Sequence, residues 1–207
     1  MSEPERDVVV VGSGAAGLAA ALEAAKAGAR VALFEKQPSL GGTSNFFEGI
    51  FAVGSAMQKE RYIAYSRDQA FRNFMEYNHW RSDARLVRAL INRSAETIDW
   101  LRALGVEFRD VTINMPDAPR TYHVVEGRGQ AVVRALARRA EELGVAVHKT
   151  APVERVLAGE KGPAGVAVAL DGRPAEVACR AVVIASGGYA NHPGWIRNTR
   201  AWSSAGR

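Results

Sequence analysis

The chain has 207 residues, 47% hydrophobic and 24% charged, with a net charge of +5. That is the balance of an ordinary globular protein, long enough for one large domain or a domain with a small lobe. Its single cysteine, Cys179, excludes an intrachain disulfide and a cluster built from several thiolates, and it fits a reducing, cytoplasmic setting. The charged start, Met1 to Asp7, lacks the apolar stretch of a secretory signal, and no run reaches the roughly 20 apolar residues of a membrane span. A soluble protein without a membrane partner is expected. Basic residues are dispersed, as in Arg134, Arg138 and Arg139 followed by Glu141 and Glu142, so they read as a solvated helix face rather than a nucleic-acid surface.

In chain order, a short apolar strand (Val8 to Val11) meets a glycine turn, a helix (about Ala15 to Ala27) and a second strand (Arg30 to Phe34). Gly28 stands where a left-handed helix stop is expected. Two such strands joined by a helix form a βαβ unit, and their continuous apolar character predicts burial on both faces. Residues 37–57, with Pro38, Gly41, Gly42, Ser44, Asn45 and Gly49, read as loop. A helical insertion follows over about 58–104. Ser82 is the expected cap of a helix carrying Leu86, Val87, Leu90, Ile91, Ile98 and Leu101 at helical spacing. The aromatic residues before it, Tyr62, Tyr65, Phe71, Phe74, Tyr77 and Trp80, are expected in the core. A second βα pattern runs from Gly127 through a helix (Ala131 to Leu143), Gly144 and a strand (Val145 to His148). Over about 152–179 the period changes to two. Strands Val153–Leu157, Gly165–Leu170 and Glu176–Cys179, separated by Gly-rich and Asp-Gly turns, predict an antiparallel meander. Ala181 to Ala185 then reads as a return to a buried strand. The fold class expected is α/β: a Rossmann-type, doubly wound parallel sheet with a helical insertion and a small β-meander.

The strongest local signal is Gly12-Ser13-Gly14-Ala15-Ala16-Gly17. In this G-x-G-x-x-G pattern the first glycine makes the tight turn. The second lets backbone amides approach a pyrophosphate, and the third lets helix and strand pack closely. The helix N-terminus then offers donors and a positive dipole end to phosphate. The pattern follows an apolar strand, opens an Ala-rich helix and meets Glu35 at the end of the second strand, where a carboxylate can accept ribose hydroxyls. These features predict a dinucleotide site. An acid at Glu35 disfavours NADP, and the pattern leaves NAD and FAD open.

Four segments together resemble the flavoprotein family of fumarate reductase and succinate dehydrogenase, whose soluble relatives include flavocytochrome fumarate reductases, ketosteroid dehydrogenases and L-aspartate oxidase. They are Val10 to Leu18 with Phe34-Glu35-Lys36, Gly41-Gly42-Thr43-Ser44 through Gly49 to Ala52, Gly127-Arg128-Gly129 to Val153, and Ala181 to Tyr189. The resemblance implies FAD. Gly12, Ser13, Gly14, Ala15, Ala16, Gly17, Glu35 and Lys36 would belong to its site. Gly41, Gly42, Thr43, Ser44 and Gly49 would lie by the ribityl chain and flavin ring, Val153 near the adenine, and Ser186 and Gly187 on the pyrophosphate side. Membrane-bound relatives attach FAD through a histidine in the second segment. This chain has no histidine between Gln37 and Asn78, so noncovalent FAD is expected. Glu48 stands where relatives often have a glycine.

Residues 1–196 are thus expected to form one FAD-binding domain, with 197–207 an irregular tail. The capping and substrate domain of the family, with its proton-donating arginine, is expected to be absent from this sequence. His79, His148 and His192 lack a partner acid at suggestive spacing, and His123 reads as a satisfied or surface histidine, so no catalytic residue is assigned. No metal is expected either. The implied chemistry is hydride exchange between flavin N5 and an activated C–C bond of a small substrate, with the electron donor open and a second chain or C-terminal half as possible partner. A non-catalytic flavin-binding module and an NAD-dependent dehydrogenase are the rival readings.

Overall fold

The computed structural model describes residues 6–160, 162–189 and 194. The elements in chain order are β1 (Arg6–Val11), α1 (Ala15–Lys26), β2 (Val31–Phe34), a 3-10 turn (Gly42–Asn45), β3 (Gly49–Phe51), α2 (Ala56–Glu60), α3 (Arg67–Tyr77) and α4 (Ala84–Ala103). Then come β4 (Phe108–Thr112), β5 (Tyr122–Val125), α5 (Arg128–Glu142), β6 (Ala146–His148), β7 (Val153–Gly159), β8 (Gly162–Leu170) and β9 (Arg173–Ile184). They divide into two compact units, one formed by the chain up to Leu40 and from Gly144 onward, the other by Gly41–Leu143. The tail 197–207, with Ile196 and His192, lies outside the described residues.

The first unit is a six-stranded sheet in the order β6-β2-β1-β9-β8-β7. β6, β2, β1 and the end of β9 run parallel, and β7, β8 and the start of β9 form the antiparallel meander. Val9 is paired with Ala32 and with Val182, so one pleat presents Val9, Ala32 and Phe34 to a core shared with Val166, Val168, Val177 and Cys179 of the meander. On the other pleat Val10 and Leu33 are fully buried, and α1, whose inner face is Gly17, Leu18, Ala21 and Leu22, packs on both strands. Each fully buried Leu or Val contributes about 2 kcal/mol. Gly28, at φ +86°, is the anticipated left-handed stop after α1. At the bottom of the sheet Asp7 accepts from Arg30 N at 2.8 Å and Nε at 3.1 Å, and this guanidinium and amide hold its carboxyl down at about 2.

Two strands read separately in the sequence are one. β9 pairs with β8 from Arg173 to Ala178 and with β1 from Cys179 to Ile184. The apolar pattern changes where the neighbour changes, although the backbone continues, and this produces the apparent break. Burial of its last part also differs from expectation: Ala181 is exposed and Ile184 is 69% exposed. The Asp171-Gly172 turn behaves as read, with φ of +51° and +74° joining β8 to β9 as a two-residue hairpin.

The second unit holds a three-stranded antiparallel sheet, β3-β5-β4, together with α2 to α5. Its strands went unread in the sequence because each is only three to five residues long. The supposed loop 37–57 contains β3 and the start of α2. In α4 the cap is Asp83 rather than Ser82, its carboxylate accepting from the amides of Arg85 and Leu86. The buried stripe of α4 is Val87, Ile91, Ser94, Ala95, Ile98 and Leu101, whereas Leu86, at 71% exposure, and Leu90 point to solvent. The aromatic residues depart most from expectation. Only Phe71 and Tyr65 pack against the core, while Tyr62, at 95% exposure, Tyr77 and Trp80 are exposed and Phe74 partly so. His79 sits in a turn after α3 with φ +51°, not in a helix. Among the described residues no helix is long and apolar enough to cross a membrane.

Candidate functional site

In the first unit β1 leads into Gly12, whose φ of +100° turns the chain and whose amide donates to Phe34 O at 2.8 Å. A Cβ there would meet Ala185 O at 2.5 Å, so only glycine fits. Gly14 follows as the N-cap of α1 with extended backbone. It offers no side-chain cap, and the first turn, with Ala15, Ala16 and Gly17, contains no acid, so the positive end of the helix dipole is not neutralised from within. At Gly17 a Cβ would lie 1.9 Å from Gly12 O, which is why helix and turn can touch.

Glu35, immediately after β2, is buried and held by its neighbours. Its Oε2 accepts from Ser13 N at 3.0 Å and from Ser13 Oγ at 2.5 Å, and its Oε1 accepts from Gln37 N at 2.8 Å. Burial pushes its carboxyl up, but the Ser13 hydroxyl, the Gln37 and Ser13 amides and the Lys36 ammonium together outweigh burial and leave it below the ordinary value. Glu35 is therefore an anion at neutral pH. A carboxylate has about four acceptor positions, and the neighbours take all but one.

The chain from β6 to β7 is zipped onto this acid. Glu35 N donates to His148 O at 2.8 Å, Ala151 N to Glu35 O at 2.8 Å and Thr150 N to Gln37 O at 3.1 Å. The His148 ring stacks on Phe34 with centroids 4.9 Å apart. These bonds carry Pro152 and Val153 to the rim of a cleft of about 210 Å³. The cleft brings together Gly12, Glu35, Lys36, Val153 and Ser186 from four distant stretches of the sequence, with Val11, Phe34 and Pro152 as apolar wall. Gly187, next to Ser186, has φ +80° and open space where a Cβ would stand. Gln37 and Pro152 carry no sequence pattern of their own, since a backbone amide and a wall contact are visible only once β6 is paired with β2.

The other sequence-predicted residues belong to the second unit. Gly41 has φ +101°, and a Cβ there would run into the Asn45 side chain at 2.5 Å. Gly42, Thr43 and Ser44 form the 3-10 turn, closed by Ser44 N donating to Gly41 O at 2.9 Å. α5 packs directly on this turn, with a Cβ on Gly129 falling 1.9 Å from Ser44 O. Gly49 lies in β3, where a Cβ would meet His123 O and the Tyr122 ring at 2.7 Å. Glu48 pairs with Arg128 at 3.1 Å. His123 is fully buried, with Nδ1 3.1 Å from Thr121 O and Nε2 2.7 Å from Ser55 Oγ. Ser55 in turn caps α2 by accepting from Gln58 N. This Ser55–His123 pair was missed in the sequence, because the two residues meet only through β3 and β5.

Residues 7–204 match the family model described as FAD binding domain. The chain is 40% identical over 191 residues to a vinyl phenol reductase of Lactiplantibacillus plantarum, covering 90% of this chain and 38% of the relative. It is 31% identical to an NADH:fumarate oxidoreductase of Klebsiella pneumoniae, covering 88% of this chain and 20% of that protein. Among solved structures it is similar to the open conformation of a flavocytochrome c3 fumarate reductase, with a TM-score of 0.88 and 27% identity over 97% of this chain and 37% of that one. The chain thus spans about two fifths or less of the length of these relatives.

Proposed function

The chain belongs to the FAD binding domain family, and from that membership we propose that it is the cofactor-holding part of an oxidoreductase of fumarate reductase type, with the adenosine half of FAD in the cleft at Glu35. The observation that carries the reading is the convergence of Gly12, Glu35, Lys36, Val153 and Ser186 on one cleft beside the start of α1. The residues fit the group. Glycine at 12 lets the turn close against Ala185 and Ser186, the uncapped helix start and the Lys36 ammonium favour a pyrophosphate, and the ionised Glu35 favours a ribose hydroxyl. Val153 and Pro152 supply an apolar rim for the adenine, and Ser186 and Gly187 border the phosphate side. By family likeness Gly41, Gly42, Thr43, Ser44 and Gly49 of the second unit are assigned to the ribityl chain and ring, and open space stands where a Cβ on Gly42 would be.

Bound FAD supplies hydride exchange with an activated C–C bond of a small substrate. This chain binds and orients; the substrate site and the proton donor belong to sequence corresponding to the remainder of the relatives. Anaerobic assays with reduced methyl viologen and fumarate or a ketosteroid are expected to show flavin binding without turnover by the 207-residue chain. Turnover at the rate of a full-length relative would overturn this division of labour.

The FAD is held noncovalently, since no histidine stands between Gln37 and Asn78. Glu35→Ala is expected to weaken FAD binding roughly ten- to a hundredfold, the effect of losing charge-assisted hydrogen bonds. Fluorescence titration measures this, and acid precipitation of the same samples should leave the flavin in the supernatant. Unchanged affinity would assign the ribose to another residue, and flavin in the pellet would mean a covalent link.

A further inference from the structure

We infer that Ser13 is a positioning residue whose hydroxyl fixes the Glu35 carboxylate, so that a single acceptor position on Oε1 faces the cleft for one ribose hydroxyl. The inference rests on the ribose reading of Glu35 given above and deepens it.

Three observations support it. The Ser13 Oγ to Glu35 Oε2 distance is 2.5 Å, the short separation of a hydroxyl donating to an anionic oxygen. The same Oε2 also accepts the Ser13 amide at 3.0 Å, which fills that oxygen. Both side chains are buried, so water does not compete for the bond. The Gln37 amide takes one position on Oε1 at 2.8 Å, and Glu35 lines the cleft beside Gly12 and Val153. Ser13 is within the fingerprint turn, whose backbone is fixed by Gly12, so its hydroxyl reaches the acid from a rigid base. The arrangement leaves the carboxylate no freedom to swing both oxygens toward a ribose. It also stabilises the anion, because a buried carboxylate without that donor would be easier to protonate.

The two roles separate experimentally. In the ligand-free chain, the carboxyl carbon of Glu35 is followed by NMR through an acid titration. Ser13→Ala is expected to move its midpoint to higher pH than in the wild type. An unmoved midpoint would overturn the inference, whatever FAD does. FAD affinity is then measured in a cycle of wild type, Ser13→Ala, Glu35→Ala and the double variant. Ser13→Ala is expected to weaken binding about tenfold with Glu35 present, to shift the acid limb of the binding profile upward, and to cost nothing further once Glu35 is alanine. An equal loss in both backgrounds would make Ser13 an independent contact rather than a positioning residue. A Glu35→Ala variant that binds FAD normally would instead sink the ribose reading, while the NMR titration would still decide the Ser13–Glu35 coupling.

Discussion

Gly17→Ala is expected to destabilise the first unit by about 3 kcal/mol and to abolish FAD retention. Two effects oppose each other. Gly17 is inside α1, and alanine in a helix interior is favoured over glycine by about 1 kcal/mol. Against this, the new methyl would lie 1.9 Å from Gly12 O and 3.3 Å from the Ala185 Cβ. The atom it strikes is backbone, and that backbone is tied by the Gly12 amide to Phe34 O. It cannot rotate aside as a side chain would. Overpacking of this kind costs about 1–3 kcal/mol and more where the neighbour is fixed, so the clash wins. Relief requires α1 to lift from β1, which moves the helix start away from the cleft. Urea unfolding measures the first effect and flavin fluorescence the second. Gly188→Ala is the control, since no atom stands within 4 Å of its Cβ position and it is expected to be neutral. Equal unfolding midpoints for Gly17→Ala and the wild type would refute the packing argument.

The second large effect concerns His123. A carbonyl cannot donate, so Nδ1 carries the proton toward Thr121 O and Nε2 accepts from the Ser55 hydroxyl. The ring is neutral, buried and edge-on to Phe108, and among the described residues no carboxylate bonds to it. Burial holds its pKa below the ordinary value of 6.5, with the Arg61 guanidinium adding to this and the Thr121 and Ile50 backbone opposing it. Protonation would set an N–H against the Ser55 hydroxyl, whose oxygen already accepts the Gln58 amide. Because the folded state resists the proton, the unfolded chain binds it first. The stability contributed by neutral His123 is therefore complete above pH 6.5 and lost as pH falls through the lower, folded value. The resistance of the second unit to denaturation should therefore fall over that interval in the wild type. In His123→Phe the pH dependence should vanish, with a loss of about 2 kcal/mol at neutral pH from the orphaned Ser55 hydroxyl. Parallel pH profiles for the two proteins would show that another group is responsible.

How far these features were legible in the sequence depended on whether their causes were local. The fingerprint turn, the helix it opens and Glu35 lie within one βαβ unit, and strand, helix and acid appear where the spacing put them. Asp171-Gly172 demanded a particular turn and received it. The second unit's sheet was invisible because Gly49–Phe51 is too short for a period to emerge, and its partner β5 is some seventy residues away. The aromatic residues misled for a related reason. Tyr77 and Trp80 have the composition of core, but the stripe of α4 that buries residues is set by Val87, Ile91 and Ile98, and it leaves its neighbours Leu86 and Leu90 outside. The Ser13 hydroxyl bond to Glu35 was within reach of inspection, yet nothing in a G-x-G-x-x-G pattern requires a serine at its second place.

The pairing of β1 with β9 also governs the order in which the protein can be made. Ile184, the partner of Val11, is added to the chain 173 residues after it. At translation rates of about 5–20 residues per second, this leaves β1 waiting roughly 10–30 s for its neighbour. The second unit, whose strands and helices all lie within Gly41–Leu143, is complete well before that. Closing the parallel sheet is then a late, long-loop event. During the wait the apolar edge of β1 depends on α1 and β2 alone for cover, so a nascent chain stalled before residue 179 is the species most in need of a chaperone.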